Sequence, residues 1–248
     1  MRPASPISPA VHPDIERGAV HPASGVDAGL RTGLARAFIA LSAGLLCVLG
    51  WAPGARPWIA LLACAVLFML LACARTTTRA AGLGGLFGLA LHTAGSSWVL
   101  DAMLQRAQAP LSMAWLGTTV FVAYLAGFTA IGAAGFRWLL GPAASLRPLR
   151  GARGLLAVAA FAAAMTGGEY LRSLPFNGYT ALSLGYAFVD TPARVLLPVG
   201  GVYLASLVGY TVAGLIGCGA LTLWDGRGWR ALRWPELAVL ALAGLALA

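Results

Sequence analysis

Glu169 and Arg172 stand at the end of a long apolar run and open the one stretch whose composition does not explain itself. That stretch reads Glu169-Tyr170-Leu171-Arg172-Ser173-Leu174-Pro175-Phe176-Asn177-Gly178-Tyr179, and it continues through Tyr186 and Asp190 to Pro192. The i, i+3 spacing puts Glu169 and Arg172 on one face of any helix that continues through them. Opposite charges so placed serve either as a structural ion pair or as polar lining for a bound molecule. Nucleophilic chemistry is harder to assemble. All 17 basic residues are arginine, which excludes Schiff-base chemistry, a Walker-A phosphate loop and any lysine-dependent catalytic set. Two of the three histidines, His12 and His21, lie near the N-terminus, so a histidine metal site is not expected. Cys47, Cys64, Cys73 and Cys218 all sit in apolar runs without a CxxC pair and read as small buried hydrophobes. No catalytic, metal or cofactor site is expected, and His92 reads as a core histidine hydrogen-bonded to a neighbouring helix.

The elements that must position these residues are set by composition. Of 248 residues, 59% are apolar and 10% charged, and mean hydropathy is +0.80. A soluble domain carries about 25% charged residues, so the chain reads as an all-α, polytopic integral membrane protein. The net charge of +9 lacks the basic patch interleaved with exposed aromatics that nucleic acid requires. No nucleic-acid partner is expected, and the arginines instead report topology.

Residues 1–32 hold five prolines among Ser, Ala and mixed charges and read as a disordered, Pro-rich cytoplasmic tail. Seven apolar runs follow over 33–248, at about 33–50, 57–74, 81–100, 111–140, 154–172, 195–224 and 234–248. In lipid each must satisfy its own backbone, which means helix. With the N-terminus cytoplasmic, 13 arginines fall inside and four outside (Arg56, Arg106, Arg172 and Arg194). That is a positive-inside pattern with the C-terminus periplasmic. Pro235 to Ala248 would make a helix of about 21 Å against a hydrocarbon core of about 30 Å, so a truncated chain, or one leading into a further part, is expected.

This topology puts the Glu169–Pro192 segment outside, with Asp101, Glu169 and Asp190 as the external acids and no histidine near the outer face. The segment's glycines and Pro175 imply irregular backbone, tolerated at membrane depth only inside protein or beside a cavity. Tyr170, Phe176, Tyr179 and Tyr186 form either an interfacial aromatic belt or a groove for an acyl chain. Trp98, after Gly95-Ser96-Ser97, is an interfacial tryptophan followed by a capping Asp101, or a further lining residue. Gly84, Gly88, Gly214 and Gly217 read as close-packing positions.

The order of these features resembles the membrane domain of bacterial apolipoprotein N-acyltransferases. That family's signature runs E-x-L-R, five residues, G-F-P-W, then L-x-x-G-Y and D-x-P. Glu169, Leu171, Arg172, Gly178, Leu182, Gly185, Tyr186, Asp190 and Pro192 match it without a gap. Gly200-Gly201-Val202-Tyr203 looks like the start of the family's next helix, Trp51-Ala52-Pro53 like its early aromatic-x-Pro turn, and Gly88 through Trp98 like its G-x5-G-x-x-W helix. Tyr179, Thr180 and Ala181 replace the family's F-P-W.

The resemblance implies a bacterial inner-membrane protein that handles phospholipid and an apolipoprotein. A nitrilase-like domain carrying a Glu–Lys–Cys set performs the acyl transfer in this family, and such a domain would be a separate partner of this chain. Glu169, Arg172, Gly178, Tyr179, Tyr186 and Trp98 would then be substrate-binding, and the chain would be inactive alone. The alternative is a non-catalytic scaffold or accessory protein, for example of the TraB-type conjugal-transfer class. A small transporter is disfavoured by the lack of an inverted repeat.

Overall fold

The computed structural model describes residues 23–51, 56–141, 151–176 and 178–224. The chain divides between Leu34 and Ala35 into two units, and every contact described below lies in the second. Seven α-helices are present among the described residues: α1 (Ala23–Cys47), α2 (Pro57–Ala72), α3 (Thr77–Gly95), α4 (Trp98–Asp101), α5 (Leu111–Leu139), α6 (Ala152–Arg172) and α7 (Leu197–Thr222).

The helix ends follow from local chemistry. Pro57 opens α2 at a position where its missing N–H costs nothing. The Thr76 side chain caps α3 by accepting from the Arg79 amide at 3.2 Å. Pro110 precedes α5, and Pro175 follows α6, which cannot continue through it. In α7 the backbone leaves helical geometry at Gly200 and Gly201; Gly201 has φ +67° and ψ −169°, a conformation open essentially to glycine alone.

Six of the seven expected apolar runs coincide with described helices; the seventh, 234–248, lies outside the described residues. Among the described residues four stretches are long and apolar enough to cross a bilayer: Arg31–Gly50, Leu111–Leu139, Ala152–Arg172 and Pro192–Thr222. A fifth candidate is a bent pair, in which Thr77–Gly95 and Trp98–Arg106 meet at 49° as a broken span or a re-entrant loop. At 16 residues α2 is about 24 Å long, short of a full core. The chain is a multi-pass membrane protein.

One boundary differs clearly from expectation. α1 begins at Ala23, about ten residues before the apolar run at 33, so the helix reaches back into the segment read as tail. Apolarity marks where lipid lies, whereas Ala, Leu and Arg sustain a helix beyond it. The rest of the expected tail, 1–22, lies outside the described residues.

Phe68 of α2, Phe136 of α5 and Phe161 of α6 are fully buried. Their rings meet at centroid distances of 5.3 to 5.8 Å. Alongside, α3 and α5 approach closely because Gly84 and Gly88 offer no side chain. A Cβ on Gly88 would lie 2.8 Å from the Thr129 side chain, the small-residue packing expected between membrane helices.

Candidate functional site: a buried arginine that gathers a loop

Arg172 closes α6 and is 3% exposed. Its guanidinium has donors only, arranged in a planar fork, and each nitrogen is engaged. Nε donates to the Tyr179 carbonyl at 3.1 Å, and Nη2 donates to the Ala181 carbonyl at 3.1 Å and to Ser183 Oγ at 3.0 Å. Nη1 meets His92 Nε2 at 3.2 Å. Because arginine cannot accept, His92 Nε2 must, which leaves the ring proton on Nδ1. The Arg172 cation also lies 5.8 Å from the centre of the Tyr179 ring, within cation–π range.

Glu169, one helical turn earlier, is 7% exposed. Its Oε1 accepts from the Leu184 amide at 2.9 Å and from the Tyr210 hydroxyl at 2.8 Å. Oε2 has no hydrogen-bond partner among the described residues. Glu169, Arg172, Thr129 and Leu182 are among the residues that line a cavity of about 20 Å³, room for about one water-sized group.

The loop that follows α6 is thus held from several directions. Ser183 Oγ donates back to the Thr180 carbonyl at 2.7 Å, and the Trp51 indole donates to the Ser183 carbonyl at 3.3 Å. The Tyr179 hydroxyl meets Ser96 Oγ at 3.0 Å, and its ring packs edge-on against Phe121 of α5. The Gly185 amide donates to Ser206 Oγ of α7 at 2.8 Å.

The loop backbone needs this support. Phe176 and Leu182 have φ of +52° and +61°, which for bulky side chains is strain of about 1–3 kcal/mol each. Gly178, at φ +78°, is a different case: a Cβ there would sit 2.5 Å from the Ser173 carbonyl oxygen, so only glycine fits the turn.

Four of the six expected site residues therefore come together. Glu169 and Arg172 hold the loop from the end of α6, and Gly178 and Tyr179 belong to the loop itself. Tyr186, 41% exposed, touches the loop through its hydroxyl, 3.5 Å from Thr180 Oγ1. Trp98 stands apart on α4, 57% exposed, with no hydrogen bond or ring contact to the other five among the described residues.

Two details depart from expectation. Glu169 and Arg172 form no ion pair with each other among the described residues; each is turned to loop groups, because the buried backbone donors and acceptors of 179–184 compete for them. A histidine does stand at this end of the helices: His92 of α3 is fully buried against Arg172, brought there because α3 and α6 both pack on α5, which spacing alone does not reveal. Ser96, Ser183, Ser206, Tyr210 and Trp51 were not expected in the network. Each lies far from Arg172 in sequence or reads as an ordinary polar residue.

A family model for the apolipoprotein N-acyltransferase N-terminal domain matches residues 43–215. The chain belongs to this family. Its similar relatives include the apolipoprotein N-acyltransferase of Methylococcus capsulatus, 34% identical over 194 residues, covering 77% of this chain and 36% of the relative. That of Ralstonia nicotianae is 33% identical over 173 residues, covering 70% and 32%. That of Vibrio parahaemolyticus is 32% identical over 220 residues, covering 87% and 39%. The chain spans about a third of the length of these relatives. The matches lend no support to the conjugal-transfer alternative. As a member of the N-acyltransferase family, the chain contains the whole region 169–192 within the matched segment.

Proposed function

We propose that this chain is the membrane half of a phospholipid-to-lipoprotein N-acyltransferase of the bacterial inner membrane. It acts in lipoprotein maturation by proximity and orientation and takes no part in the covalent step. Its N-terminus is cytoplasmic, and the Glu169–Pro192 loop faces the periplasm. There the loop meets a nitrilase-like domain that supplies the nucleophile.

The observation that carries this reading is the engagement of Arg172. A guanidinium whose donors already reach Tyr179, Ala181, Ser183 and His92 holds a loop in place; it does not present a free cation to a substrate. Glu169 and Arg172 are then positioning residues. Tyr186 and Trp98, both exposed, are the side chains left to touch acyl chain or partner domain, while Tyr179 is engaged by Ser96, Phe121 and Arg172. Three of the four cysteines are buried and Cys73 is half-buried, which suits packing better than nucleophilic attack.

The test is a chimera. This chain, joined to the part of the Methylococcus capsulatus relative that lies beyond the matched region, is assayed for acyl transfer from a fluorescent phospholipid to a diacylglyceryl peptide. Transfer by the chimera, lowered by at least about tenfold in Arg172→Met through a loop displaced by even about 1 Å, supports the reading. Transfer indifferent to Arg172 overturns it.

A further inference from the structure

Glu169 and Arg172 make no direct bond among the described residues, yet both line the same cavity of about 20 Å³. Thr129 of α5, Leu182 of the loop, Tyr210 of α7 and Leu91 of α3 line it too. The polar residues around it have hydrogen-bonding capacity to spare. A guanidinium carries five N–H donors. Tyr179, His92, Ala181 and Ser183 take four of those on Arg172, which leaves the second N–H of Nη1 without a partner among the described residues. Glu169 Oε2 is buried and accepts from none of them. Thr129 Oγ1 likewise makes no hydrogen bond among the described residues, whereas Thr211 and Thr222 turn their hydroxyls back to carbonyls of their own helix.

Three unsatisfied groups on residues around one small cavity require a shared partner, because a polar group buried without one is costly. Volume and charge select that partner. One water needs about 10–15 Å³, so a cavity of about 20 Å³ admits a single such molecule. A cation there would be set against the Arg172 guanidinium and an anion against the Glu169 carboxylate, each as a further buried charge. The occupant must also accept a hydrogen bond, from Nη1, and donate one, to Oε2. An ammonium ion cannot accept and a halide cannot donate. Water does both and keeps a further site for Thr129 Oγ1.

We propose that this cavity holds one structural water that bridges Arg172 Nη1 to Glu169 Oε2 and binds Thr129 Oγ1. The two charged residues are then joined through the water. Held at Oε2, the carboxylate keeps Oε1 aimed at the Leu184 amide and the Tyr210 hydroxyl. Thr129 is thereby a third positioning residue for the loop, supplied by α5. The inference does not rest on the acyl-transfer reading, since it concerns what holds the loop, whatever the loop meets. The rival partner for Oε2 is the Ser206 hydroxyl, which lies beside the Glu169 carboxyl while its oxygen accepts from the Gly185 amide.

The experiment is a structure of the full chain in lipid nanodiscs at a resolution that shows ordered solvent, paired with hydrogen exchange of two variants. One solvent peak should lie within hydrogen-bond distance of Glu169 Oε2, Arg172 Nη1 and Thr129 Oγ1. No peak there overturns the proposal, whether or not the Ser206 hydroxyl has turned to Oε2, and so does a peak that misses either charged group. Thr129→Val removes the hydroxyl at nearly constant volume. Protection of the Leu184 amide should then fall about tenfold, the loss of about 1.4 kcal/mol. Thr129→Ser keeps the hydroxyl and removes a methyl, so protection should stay within about threefold of the unaltered chain. A packing role for Thr129 gives the opposite order, because valine keeps the volume and serine opens a gap. Protection in Thr129→Val equal to or above that in Thr129→Ser overturns the proposal. Should either variant fail to fold, the solvent peak in the unaltered chain decides alone.

Discussion

Replacing Arg172 with methionine keeps the length of an apolar stem and removes every donor of the guanidinium. The Tyr179 and Ala181 carbonyls, Ser183 Oγ and His92 Nε2 lose a hydrogen bond together. A buried acceptor left unpaired costs about 1–3 kcal/mol. The costs overlap because one loop movement can re-expose the carbonyls to water, so the expected loss is about 3–5 kcal/mol, concentrated in the loop. Hydrogen exchange in detergent or nanodiscs reads this directly. The amides of Gly178, Ser183 and Leu184 donate to Pro175, Thr180 and Glu169; their protection should fall by at least about 100-fold, since about 1.4 kcal/mol is a factor of ten. Amides in the middle of α5 and α6 should change little. Arg172→Lys separates charge from geometry. An ammonium restores the charge but not the planar fork, so protection should recover only in part. Loop exchange within about threefold of the unaltered chain in folded Arg172→Met would refute the argument that this residue gathers the loop. Full rescue by lysine would show that charge alone matters.

Other substitutions probe the same geometry. Glu169→Gln keeps an oxygen for the Leu184 amide and Tyr210 hydroxyl, so its thermal midpoint should stay close to that of the unaltered chain. Glu169→Leu orphans both donors and should cost about 2–4 kcal/mol, measured by unfolding in detergent. Gly178→Ala forces a Cβ against the Ser173 carbonyl at positive φ and should cost at least about 1–2 kcal/mol, with loop proteolysis as the readout. Tyr179→Phe keeps the Phe121 ring contact and loses the Ser96 hydrogen bond, a deficit of about 1 kcal/mol visible as a modest drop in midpoint. Gly88→Leu should push α3 off α5 and lower expression of folded protein by more than any of these changes, because the Thr129 side chain leaves no space for it.

Much of this architecture is legible in the amino-acid sequence, for identifiable reasons. Long apolar runs bounded by Pro, Gly and Arg place α5, α6 and α7 to within two or three residues, because lipid and backbone satisfaction leave the chain no other option. Glu169 and Arg172 stand out for the same reason: charge at the end of an apolar helix needs a partner. The partners themselves are not legible. Two are backbone carbonyls, which carry no sequence signature, and one is His92, 80 residues away on a helix whose rotation about its own axis is fixed only by Gly84 and Gly88 meeting α5. The inward turn of Tyr179 is likewise a tertiary result. In sequence it is one aromatic among several, and it is the Arg172 face and the Ser96 hydroxyl that draw it in while Phe176 stays 89% exposed. The 49° break after Gly95 is not placed by apolarity, since the apolar run at 81–100 passes straight through it.

The central claim is that this membrane half orients and does not react. The most direct measurement is to incubate the purified chain with a fluorescent phospholipid donor and look for a hydroxylamine-sensitive thioester on Cys47, Cys64, Cys73 or Cys218. The account predicts none, and no acyl transfer by the chain alone to a diacylglyceryl peptide. A stoichiometric acyl thioester on any of the four would contradict it.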